Sequence, residues 1–167
     1  KATLTDEDGN LFPDNDERAI FFAKGVIETV KKLNWSPDII HVHGWLASLL
    51  PLYLKEYYKD EPLFNESKIV TSIYNQSFDG ALNKNMSGKV KFDNITGSAI
   101  DILEKPTFNN LMKVAIDYSD ALIVGSEELP KVIEEHLKDS GKPVLDYKSK
   151  DEFSEAYTNF YNTEVLS

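Results

Sequence analysis

At 167 residues, 41% hydrophobic and 11% aromatic, the chain has the length and composition of one globular domain with a true core. With 28 acidic residues against 18 basic ones its formal net charge is −10, which disfavours nucleic-acid phosphates and anionic lipid as partners. There is no cysteine, which excludes disulfides, thiolate nucleophiles and Cys-bound zinc and fits a cytoplasmic location, and no apolar run is long enough to span a bilayer.

The first 13 residues are polar, with Asp6, Glu7 and Asp8 in a solvated loop, and do not read as a natural domain start, so an upstream segment is expected. Asp14 or Asp16 can cap a helix over residues 16–33, where Ala19, Ala23, Val26, Ile27 and Val30 recur at the helical period. Residues 38–42, entered through Pro37, form a short β-branched run that reads as a strand buried on both faces. A helix follows over residues 45–58, with Pro51 expected to bend it or delay its start. Residues 60–66 read as a loop and residues 68–74 as the next strand, which delivers Tyr74, Asn75 and Gln76 to its carboxyl end.

Residues 77–105 form a long excursion with short helical pieces at 85–92 and 99–103. Thr107 can cap a helix carrying Leu111, Val114, Ala115 and Tyr118, and residues 120–125 are a third strand. Ser126 is expected to open a helix with Val132, Ile133 and Leu137 on one side, closed by Ser140 and Gly141. Residues 143–147 read as a fourth strand. Ser149 and Glu152 have capping-box spacing ahead of a last helix, whose stripe of Phe153, Tyr157, Phe160 and Tyr161 needs a partner surface. Strands alternating with helices give an α/β fold, an open mostly parallel sheet with helices on both faces, in a single domain over residues 1–167.

In such a sheet ligands sit outside the carboxyl ends of the strands, which is where His41, His43 and Gly44 fall. His41 and His43 alternate along one strand and so share a face, but two imidazoles without a third ligand at suitable spacing favour a structural or substrate-contacting role over a metal. No Gly-x-Ser-x-Gly elbow, dinucleotide fingerprint or phosphate loop occurs. Ser126, at a strand end, could offer backbone N–H groups to a phosphate, with an ordinary helix cap the favoured reading.

Four blocks, DNDERAIFFAKG, PDIIHVHGWLASLLPLYL, KIVTSIYNQSFDG and FNNLMKVAIDYSDALIVGSEEL, resemble in that order the N-terminal half of bacterial glycogen (starch) synthases. The resemblance covers residues 9–138 and leaves residues 141–167 as an added strand and helix. It implies one of two facing Rossmann-like domains with a cleft between them, and transfer of glucose from ADP-glucose to an α-1,4-glucan with retention of configuration. No cofactor is implied beyond the donor ADP-glucose.

The chain departs from that family in two motifs. Where the family reads His-x-His-Asp-Trp-His, this chain has His41-Val42-His43-Gly44-Trp45-Leu46, and where it reads Thr-x-His-Asn, this chain has Ser72-Ile73-Tyr74-Asn75. Gly44 stands in place of the carboxylate, Leu46 in place of the last histidine of the first motif and Tyr74 in place of the cleft histidine, and a tyrosine, with a pKa of about 10, does not replace that imidazole. The early Lys-x-Gly-Gly turn and the second domain fall outside the residues present.

Two readings follow. The chain is a piece of a synthase whose catalysis other segments or a partner complete, or it is a non-catalytic module that binds a glucan, a nucleotide sugar or a true synthase. No catalytic residue and no metal ligand is assigned. The substrate-binding candidates are His43, Trp45, Tyr74, Asn75 and Gln76. A second copy of the chain, or the upstream segment, is expected against the sheet edge left open.

Overall fold

The structure, a computed structural model, describes residues 4–167. Its centre is a parallel four-stranded sheet in the order β1-β2-β3-β4, with β1 at Ile39–His43, β2 at Lys68–Ile73, β3 at Ala121–Val124 and β4 at Val144–Leu145. The register pairs His43 with Ser72 and Ser72 with Ile123. The first three strands are thus parallel neighbours, and His43 and Tyr74 emerge at the same edge as expected. The fourth strand is two residues long rather than the five of 143–147. Among the described residues, β1 ends the sheet on one side with its outer backbone edge unpaired.

Side-chain alternation divides the sheet into two faces. Ile40, Val42, Ile69, Ile73, Leu122 and Val144 point to the inner face, which packs into the main core. Helices α1 (Asn15–Lys32), α2 (Leu50–Leu52), α3 (Met86–Phe92), α4 (Ser98–Leu103), α5 (Phe108–Tyr118) and α6 (Lys131–Asp139) supply most of the rest of that core, and the turns and loops between them add residues such as Trp45, Tyr53 and Ile95. Val70, Ala121, Ile123 and Leu145 point to the outer face, which has a smaller core of its own with Phe160 and Val165. These two residues come from helix α7 (Phe153–Phe160) and the π-helical turn Tyr161–Val165 that continues it. The outer face is the partner surface that the aromatic stripe required.

Several local expectations are corrected. The helix over residues 45–58 is broken into a 3-10 turn at Trp45–Ala47, α2, and a π-helical turn at Tyr53–Tyr57 closed by the Tyr58 N–H donating to the Tyr53 carbonyl at 2.9 Å. Pro51 sits in the first turn of α2, where a missing N–H costs nothing, so it delays the helix rather than bending it. Ser126 does not open a helix: α6 begins at Lys131 behind Pro130, and the Ser126 hydroxyl instead accepts the Asn75 N–H at 3.0 Å. The Ser149–Glu152 pair also misses its box, because the Ser149 hydroxyl donates to the Glu152 carboxylate at 2.9 Å and α7 starts only at Phe153. The loop over residues 60–66 contains a 3-10 turn at Pro62–Phe64.

Of the caps, Thr107 behaves as expected, its hydroxyl accepting the Asn110 N–H at 3.3 Å. Asp14 holds the N-cap position of α1, as one of the two expected residues, but the structure gives its side chain no capping hydrogen bond. Asp14 pairs with Arg18 at 3.0 Å, and Asp16, fully buried, takes the Lys89 ammonium at 2.6 Å. Gly25 in α1 and Gly88 in α3 are helix-interior glycines, each costing about 1 kcal/mol against alanine. No packing constraint calls for either, since a Cβ there would meet nothing within 4 Å.

Candidate functional site

Alternate positions of β1 place the two histidines together on the outer face, with ring centroids 3.9 Å apart. His41 has both nitrogens engaged: Nε2 bonds the Ser72 hydroxyl at 2.7 Å and Nδ1 the Tyr161 hydroxyl at 2.6 Å. Burial, with a further contribution from His43, pushes its pKa down to about 4, so the ring is neutral near pH 7. A neutral imidazole has one donor and one acceptor nitrogen, and the two hydroxyls use both.

His43 is exposed, and its Nδ1 lies 2.8 Å from the Tyr74 hydroxyl, the two rings stacked with centroids 6.0 Å apart. Partial desolvation beside its neighbours lowers the His43 pKa although the residue is exposed at its outer side, and burial raises that of the Tyr74 phenol, so both partners favour their uncharged forms. The strand-end pair is therefore a hydrogen-bonded, electrically neutral unit.

Two glycines shape this edge. Gly125 follows β3 directly beneath the Tyr74 ring, and a Cβ there would fall 2.5 Å from Tyr74 Cε1 and 2.7 Å from Cδ1. The ring can lie across the end of β3 because position 125 has no side chain. Gly44 turns the chain out of β1 at φ 73° and ψ 169°, a region that side-chain-bearing residues essentially avoid. A Cβ at Gly44 would sit 3.5 Å from the Gln76 side-chain oxygen.

His43, Gly44, Tyr74, Asn75 and Gln76 are thus gathered at one edge, with the Asn75 and Gln76 side chains exposed. Trp45 is not with them at the surface. It is 7% exposed and packs edge-on against Phe78, centroids 5.0 Å apart, in the main core. Sequence reasoning missed Ser72, Gly125 and Tyr161, and placed Ser126 at the strand end but in a different role, as a helix cap or phosphate donor rather than the acceptor of the Asn75 N–H. The first could have been found from alternation with Tyr74, but Tyr161 reaches His41 from 120 positions away and left no local signal.

Among the described residues no group of three or more His, Asp or Glu side chains is arranged to hold a metal ion, and no helix is long and apolar enough to cross a membrane. Along the free edge of β1 a cavity of about 470 Å3 is lined by Trp35, Ile39, His41, Tyr161 and Leu166, among others.

A family model described as the starch synthase catalytic domain matches residues 3–143. The glycogen synthase of Chlorobium luteolum is 37% identical over 120 residues, covering 71% of this chain and 24% of that protein. That of Thermotoga maritima is 33% identical over 146 residues, covering 87% and 30%, and that of Clostridium perfringens 32% identical over 123 residues, covering 72% and 25%. The chain spans between about a quarter and three tenths of the length of these relatives. No solved structure matches. Helix α7 and its π-helical turn lie beyond the match to the family model.

Proposed function

The chain belongs to the starch synthase catalytic domain family, and from that premise we propose that it binds a nucleotide sugar or an α-glucan at its strand ends without transferring glucose on its own. Its coarse identity is a glycogen synthase-like glycosyltransferase domain over the matched residues. The proposal concerns what remains of the chemistry. A retaining glucosyl transfer from ADP-glucose develops positive charge on the sugar and negative charge on the diphosphate, and its rate comes mostly from preorganised groups matched to those charges.

The observation that carries the reading is the Tyr74–His43 pair. The phenol and imidazole hydrogen bond to each other at 2.8 Å, and burial disfavours the charged form of both. Gly44 adds no carboxylate. His43, Tyr74, Asn75 and Gln76 can still offer hydrogen bonds to sugar or phosphate oxygens, with Trp45 holding the turn from behind. A cytoplasmic location fits a cysteine-free chain that handles sugar nucleotides.

The test is incorporation of radiolabelled glucose from ADP-glucose into glycogen by the purified chain, with a catalytically dead synthase as background. The expected result is no incorporation above background. Incorporation that Tyr74→Ala reduces would overturn the proposal and make Tyr74 a participant. The unpaired edge of β1 favours a second reading, in which further segments or a partner complete the sheet and the activity. Transfer by a longer protein containing this chain, absent from the chain alone, would support it.

A further inference from the structure

We infer that Tyr161 is a positioning residue for the strand-end site: through a relay of side-chain hydrogen bonds it fixes which nitrogen of His43 carries the proton. The group that His43 offers to a ligand is thereby made a donor. That a ligand sits at this end rests on the reading above.

The relay crosses the outer face of the sheet from the α7 segment to the strand ends. Tyr161 Oη lies 2.6 Å from His41 Nδ1, His41 Nε2 lies 2.7 Å from Ser72 Oγ, and Tyr74 Oη lies 2.8 Å from His43 Nδ1. Ser72 stands two positions before Tyr74 on the same face. Its side chain hydrogen bonds the phenol, which opposes the upward pull of burial on the Tyr74 pKa. Among the described residues His43 Nε2 has no hydrogen-bond partner.

Burial favours the neutral form of both imidazoles and both phenols. Each hydroxyl then has one proton to give and each ring one N–H, so the relay runs in one direction throughout or in the other. In one direction both phenols donate to bare imidazole nitrogens. In the other, both imidazoles donate to phenol oxygens. A phenol is a good donor and, with its lone pair delocalised into the ring, a poor acceptor, whereas the bare imidazole nitrogen is the most basic acceptor in the set. The first direction is therefore favoured at both ends, and hydrogen bonds aligned in series reinforce one another. Tyr161 donates to His41 Nδ1, His41 Nε2–H to Ser72, Ser72 to Tyr74, and Tyr74 to His43 Nδ1. The His43 proton is left on Nε2, the nitrogen without a partner, where it suits an acceptor oxygen of a phosphate or a sugar.

The Tyr161 hydroxyl is not what docks its segment. Phe160 and Val165 do so, buried in the outer-face core against Val70, Ala121 and Ile123. Tyr161 heads the π-helical turn, closed by the Leu166 N–H donating to its carbonyl at 2.9 Å. Turns of this kind recur at functional sites.

The test is imidazole nitrogen NMR of the purified chain at neutral pH, with ADP-glucose and maltoheptaose titrated separately to tell a phosphate oxygen from a sugar one. In the native chain both His41 and His43 should show the Nε2–H tautomer. Tyr161→Phe should draw the two His43 nitrogen shifts toward each other and weaken binding of the ligand by about two- to tenfold. Tyr157→Phe removes a neighbouring hydroxyl that makes no hydrogen bond and should do neither. In a Ser72→Ala background the relay is already cut, so adding Tyr161→Phe should leave the His43 shifts unmoved.

A native His43 protonated at Nδ1 would overturn the relay, as would His43 shifts unchanged in Tyr161→Phe. An effect of Tyr161→Phe that persists in the Ser72→Ala background would trace to helix docking and would overturn it too. Absence of saturable binding of either ligand would overturn the strand-end reading and the ligand role of His43, whereas the nitrogen shifts decide the relay independently of binding.

Discussion

The two faces of the sheet are built on different terms. The inner face carries aliphatic side chains into a core shared by six helices, whereas the outer face carries His41, His43, Ser72 and Tyr74 at its ligand end and is covered by α7 and its continuation. Neighbours on β3 show the contrast within one strand: Leu122 points into the main core and Ile123 into the small one, each with 0% exposure. The inner face accounts for most of the folding free energy because burial of apolar area scales with what covers it. The outer face has the hydrogen-bonding side chains, and its cover lies outside the family match.

The contrast predicts a ranking. Leu122→Ala should cost about 2–5 kcal/mol in denaturant unfolding, and Ile123→Ala should fall at the low end of that range because the thin outer layer can settle into the space left behind. Equal losses would break the comparison. Gly44→Asp, which restores the family residue, should cost about 1–3 kcal/mol through its φ of 73° and ψ of 169° without restoring glucose transfer. Recovery of transfer in that variant would show that the carboxylate alone had been limiting.

Acid should act on the outer face first. The His41 pKa falls from its ordinary 6.5 to about 4 on folding, so between those values the unfolded chain binds the extra proton. Stability is fully present above about pH 6.5 and declines as pH drops toward 4, by an amount on the order of 1–2 kcal/mol once partial exposure is allowed for. Carboxylates titrate in the lower part of that window, so the measurement is the difference in pH slope between the native chain and His41→Gln, which should be shallower. The smallest effect expected is Tyr161→Phe, about 1 kcal/mol from leaving the His41 Nδ1 without its hydroxyl.

Much of this architecture is legible in the amino-acid sequence. The β-branched runs at 38–42, 68–74 and 120–125 have no competing period and lie within one residue of the observed strands, and α1 and α5 have wide apolar stripes, so their existence and order can be read directly. Failures came where a local signal had a rival in space. Ser126 resembles a cap, yet its hydroxyl accepts from Asn75 on the neighbouring strand's exit. Ser149 and Glu152 have the right spacing, but they bond side chain to side chain. At the candidate site, His43, Tyr74, Asn75 and Gln76 were gathered as expected, since strand order and register fix them. Trp45 turned inward onto Phe78, and the Tyr161–His41 bond depended on how a distant helix docks, which no periodicity encodes.

The ring of Tyr74 lying on Gly125 makes the history of these two positions directional. With any larger residue at 125, a tyrosine entering at 74 would have found its place taken, the Cβ lying 2.5 Å from where Cε1 must go. A lineage could reach the present pair by acquiring glycine at 125 first and tyrosine second. The opposite order passes through a clash. With both in place, replacement of the glycine is disfavoured while the tyrosine remains, so substitutions at these two strand ends are mutually conditional. Reconstructed pairs test this route: Gly125→Ala should be well tolerated in a Tyr74→Ala background and poorly tolerated in the native one.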